Sequence, residues 1–233
     1  MTGDRGRAHR DIWAVVPVKE TVHAKQRLGS LLPARLRQEL AVAMFADVMQ
    51  SLAAAHGLAG IAVVTLDAAA GEIAMRCGAE VWTDGARDGH TGAVTAAARQ
   101  LARMRSSMLT VPGDIPLVSS DDIERLLCAH PDEPAFTIVP AWDDQGSNAI
   151  VCSPADLVPL RFGPDSFFPH LAAARRHGIA PTVVRNDAIA IDIDEPADLV
   201  RLMKNPSDTR TAAFLERHRA EWDGAAAAAF GSQ

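Results

Sequence analysis

Short apolar runs alternate along this chain with longer stretches whose apolar residues recur every three or four positions, and this rhythm admits few folds. Ile12–Val18, Ile61–Leu66, Glu80–Thr83 and Met108–Val111 read as strands. Between them, Pro33 to about Ala55, Ala69 to Arg76 and His90 to Met104 read as helices, the first with Leu36, Leu40, Met44 and Val48 at spacings of four. Pro33 suits a first helical turn and Gly57 a C-terminal stop. Ser119 and Ser120 can cap a further helix running to about Ala129. Strands that alternate with helices are joined by crossovers, so the first half reads as an α/β domain with a mostly parallel sheet flanked by helices.

The second half changes character. Pro134–Pro140 and Asn148–Cys152 are strand-like around the turn residues Asp143-Asp144-Gln145-Gly146, which reads as a small β-rich insertion or an antiparallel edge. A helix from Ser166 to His177, strands near Pro181–Arg185 and Ala188–Ile193, and a helix over Pro196–Met203 follow. Residues 11–204 are expected to form one domain, behind a polar leader of residues 1–10. Residues 205–233 read as a tail, partly helical or disordered, and its run Ala225–Ala229 suits a frayed terminus or an oligomer contact, which leaves a homodimer open.

A net charge of −6 argues against broad binding to nucleic acid or an anionic membrane, but not against a phosphorylated small molecule met by a few local cations. No apolar run approaches the roughly 20 residues that span a bilayer, and Arg5, Arg7 and Arg10 precede no signal-like segment, so a cytoplasmic location is expected. Cys77, Cys128 and Cys152 form no C-x-x-C pair and read as reduced core thiols. His170 and His177 could share a helical face, without the spacing of a zinc site.

Chemistry-bearing residues collect where strands are expected to end, which is where open α/β sheets hold ligands. These are Lys19, Asp67, Asp114, Asp192 and Asp194. Residues i and i+2 of a strand share a face, so Asp192 and Asp194 should point the same way; paired like charges then call for a cation or a proton. Mg²⁺ takes such carboxylates while keeping places for substrate phosphates. A solvated strand end and turn chemistry at Asp114 explain the same letters, as loop capping does for Asp67. Lys19, Lys25 and Arg27 put three cations into the first strand-to-helix loop, which lacks the Walker pattern; a surface charge run is the competing reading. Gly163 and Ser166 stand before a helix whose N–H groups favour an anion, although Ser166 or Asp165 could simply cap it. Ser147 and Asn148 could add a hydroxyl and an amide.

Taken in order, Pro17-Val18-Lys19, Ala24-Lys25-Gln26-Arg27-Leu28, Val111-Pro112-Gly113-Asp114-Ile115-Pro116-Leu117, Gly146-Ser147-Asn148-Ala149, Phe162-Gly163-Pro164-Asp165-Ser166-Phe167 and Asp192-Ile193-Asp194 resemble the 2-phospho-L-lactate guanylyltransferase family, which includes phosphoenolpyruvate and 3-phosphoglycerate guanylyltransferases. The resemblance covers about residues 12–203 and implies a Rossmann-like fold of the nucleotide-diphospho-sugar transferase type. It implies transfer of GMP from GTP to a phosphorylated three-carbon acid with release of pyrophosphate, in biosynthesis of coenzyme F-420. Carried over by position, Asp114, Asp192 and Asp194 would hold Mg²⁺. Lys19 and Lys25 would face the GTP phosphates, with Asp114 as the catalytic groups, and Arg27 and Gly85 would join the nucleotide site. Ser147, Gly163 and Ser166 would bind the acid. Ser147 replaces the family's usual threonine and keeps its hydroxyl. The family's glycine-leucine-asparagine helix start is here Asp88-Gly89-His90-Thr91-Gly92-Ala93-Val94, beside the expected nucleotide. Two rivals remain: transfer to another phosphorylated substrate, a sugar phosphate or molybdopterin, and a nucleotide-binding domain without turnover.

Overall fold

The computed structural model describes residues 11–21, 24–163, 165–203 and 207–221, so the expected leader and the Ala225–Ala229 run lie outside the described residues. Strand β1 (Ile12–Pro17) pairs in parallel with β2 (Gly60–Val64) on one side and with β4 (Ser107–Thr110) on the other, and β2 carries β3 (Glu80–Trp82). Helices cover both faces of these strands, so Ala14, Val15 and Val16 are all fully buried and the strand is a continuous apolar run rather than an alternating one. Strand β6 (Ser147–Ser153) runs antiparallel between β4 and β5 (Ala135–Pro140), and β7 (Thr182–Val183) lies parallel on β5. The sheet has seven strands in the order β3-β2-β1-β4-β6-β5-β7. The antiparallel strand is therefore internal and not an edge. Its direction brings Ser147 to the same rim as the carboxyl end of β4, because Thr110 pairs with Ile150.

Helices α1 (Ala34–Ala54), α2 (Ala68–Arg76) and α4 (Ser120–Ala129) bury Phe45, Met49, Ile73 and Ile123 in one core with Val16 and Val63. Helices α3 (Gly89–Arg103) and α5 (Phe167–Arg176) bury Val94, Leu101 and Leu171 in a second core with Val15 and Phe136. Ser119 caps α4 in a reciprocal box with Asp122. Truncating a fully buried residue such as Leu101 or Phe136 to alanine costs about 2–5 kcal/mol.

Three expectations are corrected. Ala188–Ile193 is not a strand: Asn186 accepts the Ile189 N–H at 3.0 Å, and this cap turns Asp187–Ala190 into a one-turn helix, α6. Residues beyond 204 are not all tail, because α8 (Arg210–Arg217) docks on α1, with Asp47 accepting hydrogen bonds from the Arg210 and Thr211 backbone at 2.9 Å. Together with α7 (Pro196–Met203), α8 completes a third core containing Leu28, Leu40, Ile193 and Phe214. Of the three cysteines, Cys152 alone is buried, whereas Cys128 is exposed. No helix among the described residues is long and apolar enough to cross a membrane.

Candidate active site

The carboxyl ends of β1 and β4 open onto a cavity of about 390 Å³ whose walls include Lys19, Lys25, His90, Gly113, Asp114 and Asp194. The loop after β1 forms one wall and is tied down by Asp67. Its carboxylate accepts both the Thr21 N–H and the Thr21 hydroxyl at 2.7 Å and also caps α2 through the Ala70 N–H at 3.0 Å. Burial opposes the Asp67 charge, but the N–H groups of Thr21 and Ala70 outweigh it and hold the carboxyl below the usual carboxylate range. Asp67, a strand-end acid that loop capping also explains from sequence, is thus the cap of α2 and an anchor of the first loop.

Lys25 follows with a left-handed backbone (φ 54°), and its side chain, 7% exposed, reaches across the cavity wall. Its ammonium donates to Asp114 and to Asp194 Oδ1, the latter at 2.7 Å. Burial works against the charged form, but the two carboxylates overcome it and raise the pKa above the ordinary lysine value, so Lys25 stays protonated. The aspartate pair arrives on an extended segment rather than a strand, fixed by one backbone hydrogen bond from Ile193 N–H to the Asp114 carbonyl at 3.1 Å. Ile191 and Ile193 face the core, and the intervening Asp192 and Asp194 point toward Asp114, so the two-residue alternation survives without a strand ladder. Burial first, then the neighbouring Asp114 charge, push Asp192 up to about 6, against a hydrogen bond from Asn148 Nδ2 at 3.1 Å.

This is not a ready-made metal cage. Among the described residues no three His, Cys, Asp or Glu side chains gather closely enough to hold an ion, and the cation between Asp114 and Asp194 is the lysine's own. Charge balance is nevertheless incomplete, since Asp114 Oδ1 is buried without a hydrogen-bond partner and Asp192 stands behind it.

The hydroxyl loop lies beside this cavity. Ser166, buried at the start of α5, does not cap the helix with its side chain but donates to Ser147 Oγ at 3.3 Å. Gly163 has φ +148° and open space where a Cβ would stand, so its backbone is bare to a ligand. Two contacts join this loop to the cavity. Asn148, next to Ser147, holds Asp192, and the Phe162 ring sits 4.3 Å from that of His90 while its N–H donates to Thr91 Oγ1 at 3.0 Å.

Two expected nucleotide residues stand apart. Arg27 pairs with Glu195 at 3.3 Å, both well exposed, and does not line the cavity. Gly85 also lies off the wall; it lets the loop before α3 pack closely, since a Cβ there would come within 2.6 Å of the Gly92 carbonyl oxygen, and its neighbour Ala86 reaches the cavity. The sequence does not single out His90. Burial pulls its pKa down to about 4, opposed by Asp114 and helped by Lys19, so a neutral imidazole lines the cavity. Its signal was the departure at Asp88–Val94. His170, on sequence grounds half of a weak metal pair, instead holds Ser147 at 3.0 Å through Nδ1, while His177 Nδ1 meets the Ala173 carbonyl.

The family model for CofC-like guanylyl transferases matches residues 12–228. A phosphoenolpyruvate guanylyltransferase of Roseiflexus castenholzii is 39% identical over 202 residues, covering 85% of this chain and 91% of that protein. A 3-phospho-D-glycerate guanylyltransferase of Colwellia psychrerythraea is 33% identical over 195 residues, covering 82% and 92%. Among solved structures, one described as a nucleotide-diphospho-sugar transferase of Desulfovibrio desulfuricans G20 superposes with a TM-score of 0.75 at 21% identity, covering 93% of this chain and 98% of that one, and so shares the fold. The strand order, the cavity at the carboxyl ends of β1 and β4, and the match across nearly the whole chain agree: this protein belongs to the family of CofC-like guanylyl transferases.

Proposed function

We propose that this protein transfers GMP from GTP to a phosphorylated three-carbon acid, with phosphoenolpyruvate the first acid to test and 3-phosphoglycerate and 2-phospho-L-lactate the others. The observation that carries the reading is that Lys25, from the loop after β1, bridges Asp114 and Asp194, from two other loops, at the cavity wall. One cation among three carboxylates, beside a second lysine and a hydroxyl loop, suits a polyphosphate that arrives with its own counter-charge. The names of the curated relatives supply the nucleotide and the acid.

In the reaction a phosphate oxygen of the acid attacks the α-phosphorus of GTP, the bond to the bridging oxygen breaks, and pyrophosphate leaves. The nucleophile is already anionic, so no side chain need be deprotonated. The protein's part is placement and charge neutralisation. Asp114, Asp192 and Asp194 are the groups that would hold a hard divalent cation once Lys25 gives way between them, because Asp114 Oδ1 lacks a partner and the three charges exceed what Lys25 offsets. Bound there, Mg²⁺ would neutralise charge on the phosphates. In this reading Lys19, exposed on the cavity wall, and Lys25 would meet the triphosphate, and Ser147, Gly163 and Ser166, beside the cavity, would hold the acid.

The test is a matrix of four nucleoside triphosphates against the three acids, following pyrophosphate release with Mg²⁺ present. Release is expected with GTP and at least one of the acids. Release with none of the pairs, or equal rates whether or not an acid is added, would end the reading.

A further inference from the structure

His170 is 1% exposed, and both of its ring nitrogens are committed. The Arg161 backbone N–H donates to Nε2 at 2.9 Å, so Nε2 carries no proton and the neutral ring must carry it on Nδ1. That nitrogen lies 3.0 Å from Ser147 Oγ, so the imidazole donates to the serine. Ser166 Oγ donates to the same oxygen at 3.3 Å. A hydroxyl has two acceptor sites and one proton. With both acceptor sites taken, the Ser147 proton must be given to a third partner. Ser147 is only half-buried, so that partner can be a ligand. The ring is held in place by Phe162, whose centroid is 5.3 Å away and which also touches His90 of the cavity.

We infer that His170 is a positioning residue that, through its Nδ1–H bond to Ser147, turns the serine hydroxyl into an obligate donor toward the acid substrate. The inference rests on the reading that Ser147 and Ser166 face the acid. An oxygen already accepting two hydrogen bonds repels a ligand donor and offers only a proton, which selects an anionic oxygen over a neutral hydroxyl. Burial keeps the ring neutral, with its pKa pulled down to about 4, so the arrangement holds across the neutral range.

The test compares three variants, with GTP as nucleotide and phosphoenolpyruvate as acid. In His170→Asn the amide N–H can replace Nδ1–H; in His170→Gln the side-chain oxygen can accept the Arg161 N–H but the donor to Ser147 is lost. H170Q is expected to raise KM for phosphoenolpyruvate about tenfold, with kcat and KM for GTP within twofold, whereas H170N stays within threefold of wild type. Equal losses in both variants, or a loss falling on kcat or on GTP, would reduce His170 to a packing residue and overturn the inference. Ser147→Ala separates the two levels. If S147A leaves KM for phosphoenolpyruvate unchanged, the acid does not sit on this loop and the underlying reading fails. If S147A raises it while H170Q does not, only the role of His170 fails. Should H170Q not fold, ¹⁵N spectra of the wild-type histidines decide: an Nδ1–H tautomer at His170 is expected at pH 7, and an Nε2–H tautomer would overturn the inference.

Discussion

Lys25 Nζ lies 2.7 Å from Asp194 Oδ1 while also binding Asp114, so one ammonium closes two loops that are 80 residues apart over the end of the sheet. In Lys25→Met the three carboxylates lose their counter-charge. Both partners are partly solvated, so the expected loss is on the order of 1–3 kcal/mol, below that of a fully buried pair. Urea unfolding at pH 7 checks it, and Mg²⁺ should raise the midpoint of K25M more than that of wild type. Turnover should fall by about 100-fold or more, the scale of losing one group aimed at developing charge. A variant as stable and active as wild type would show that Lys25 is a bystander.

Asp192 stands against two other acids, and its charge costs stability where no cation answers it. Asp192→Asn should therefore stabilise the metal-free protein, by on the order of 1 kcal/mol, while abolishing turnover; the hydrogen bond with Asn148 can be kept by an amide. Asp114→Asn should also abolish turnover in a folded protein. Paired measurements of unfolding free energy and pyrophosphate release give the answer. Wild-type rates in both variants would remove the acids from the chemistry.

Much of this was readable in advance because strand ends in an α/β sheet are forced to one rim. Asp114 is at the rim for that reason, whereas the 192/194 pair reaches it on an extended segment tied to the Asp114 carbonyl by the Ile193 N–H; the run Ile12–Val18 is legible because both its faces are covered. What stayed hidden depends on partners distant in the chain. Asp47 waits for Thr211 across 164 positions, and nothing local says that a buried acid will receive a helix start. Residues Ala188–Ile193 carry a strand-like pattern that the Asn186 cap overrides. Arg27 and Lys25 share one loop and one charge, yet one packs inward between aspartates and the other pairs with Glu195 in solvent; sequence spacing does not separate them.

Gly85 has φ +76°, and an added Cβ would meet backbone, the Gly92 oxygen at 2.6 Å, which cannot swing aside. Gly85→Ala should cost about 1–3 kcal/mol and shift the start of α3, which carries His90 into the cavity wall. KM for GTP is expected to rise more than KM for the acid. Thermal unfolding and steady-state kinetics test this, and an unchanged melting temperature would show that the loop relaxes.

An unfolded histidine titrates near 6.5, whereas burial holds native His170 near 4. Between those values the unfolded chain binds a proton that the native state refuses, so stability rises with pH across the window. His170 therefore contributes fully above about 6.5, and its contribution drains away as pH falls toward 4; His90 acts in the same sense. Asp192 acts in the opposite sense, because its native pKa of about 6 exceeds the ordinary value of 3.8 and protonation favours the folded state there. Comparing wild type with His170→Asn cancels the contributions of His90 and Asp192 and leaves the His170 term. The full depression of its pKa corresponds to on the order of 3 kcal/mol. Urea unfolding at steps from pH 8 to 4.5 should show wild type losing more stability than H170N, mostly below pH 6.5. Parallel curves would mean that His170 is protonated in the folded protein, which the Arg161 N–H on Nε2 forbids.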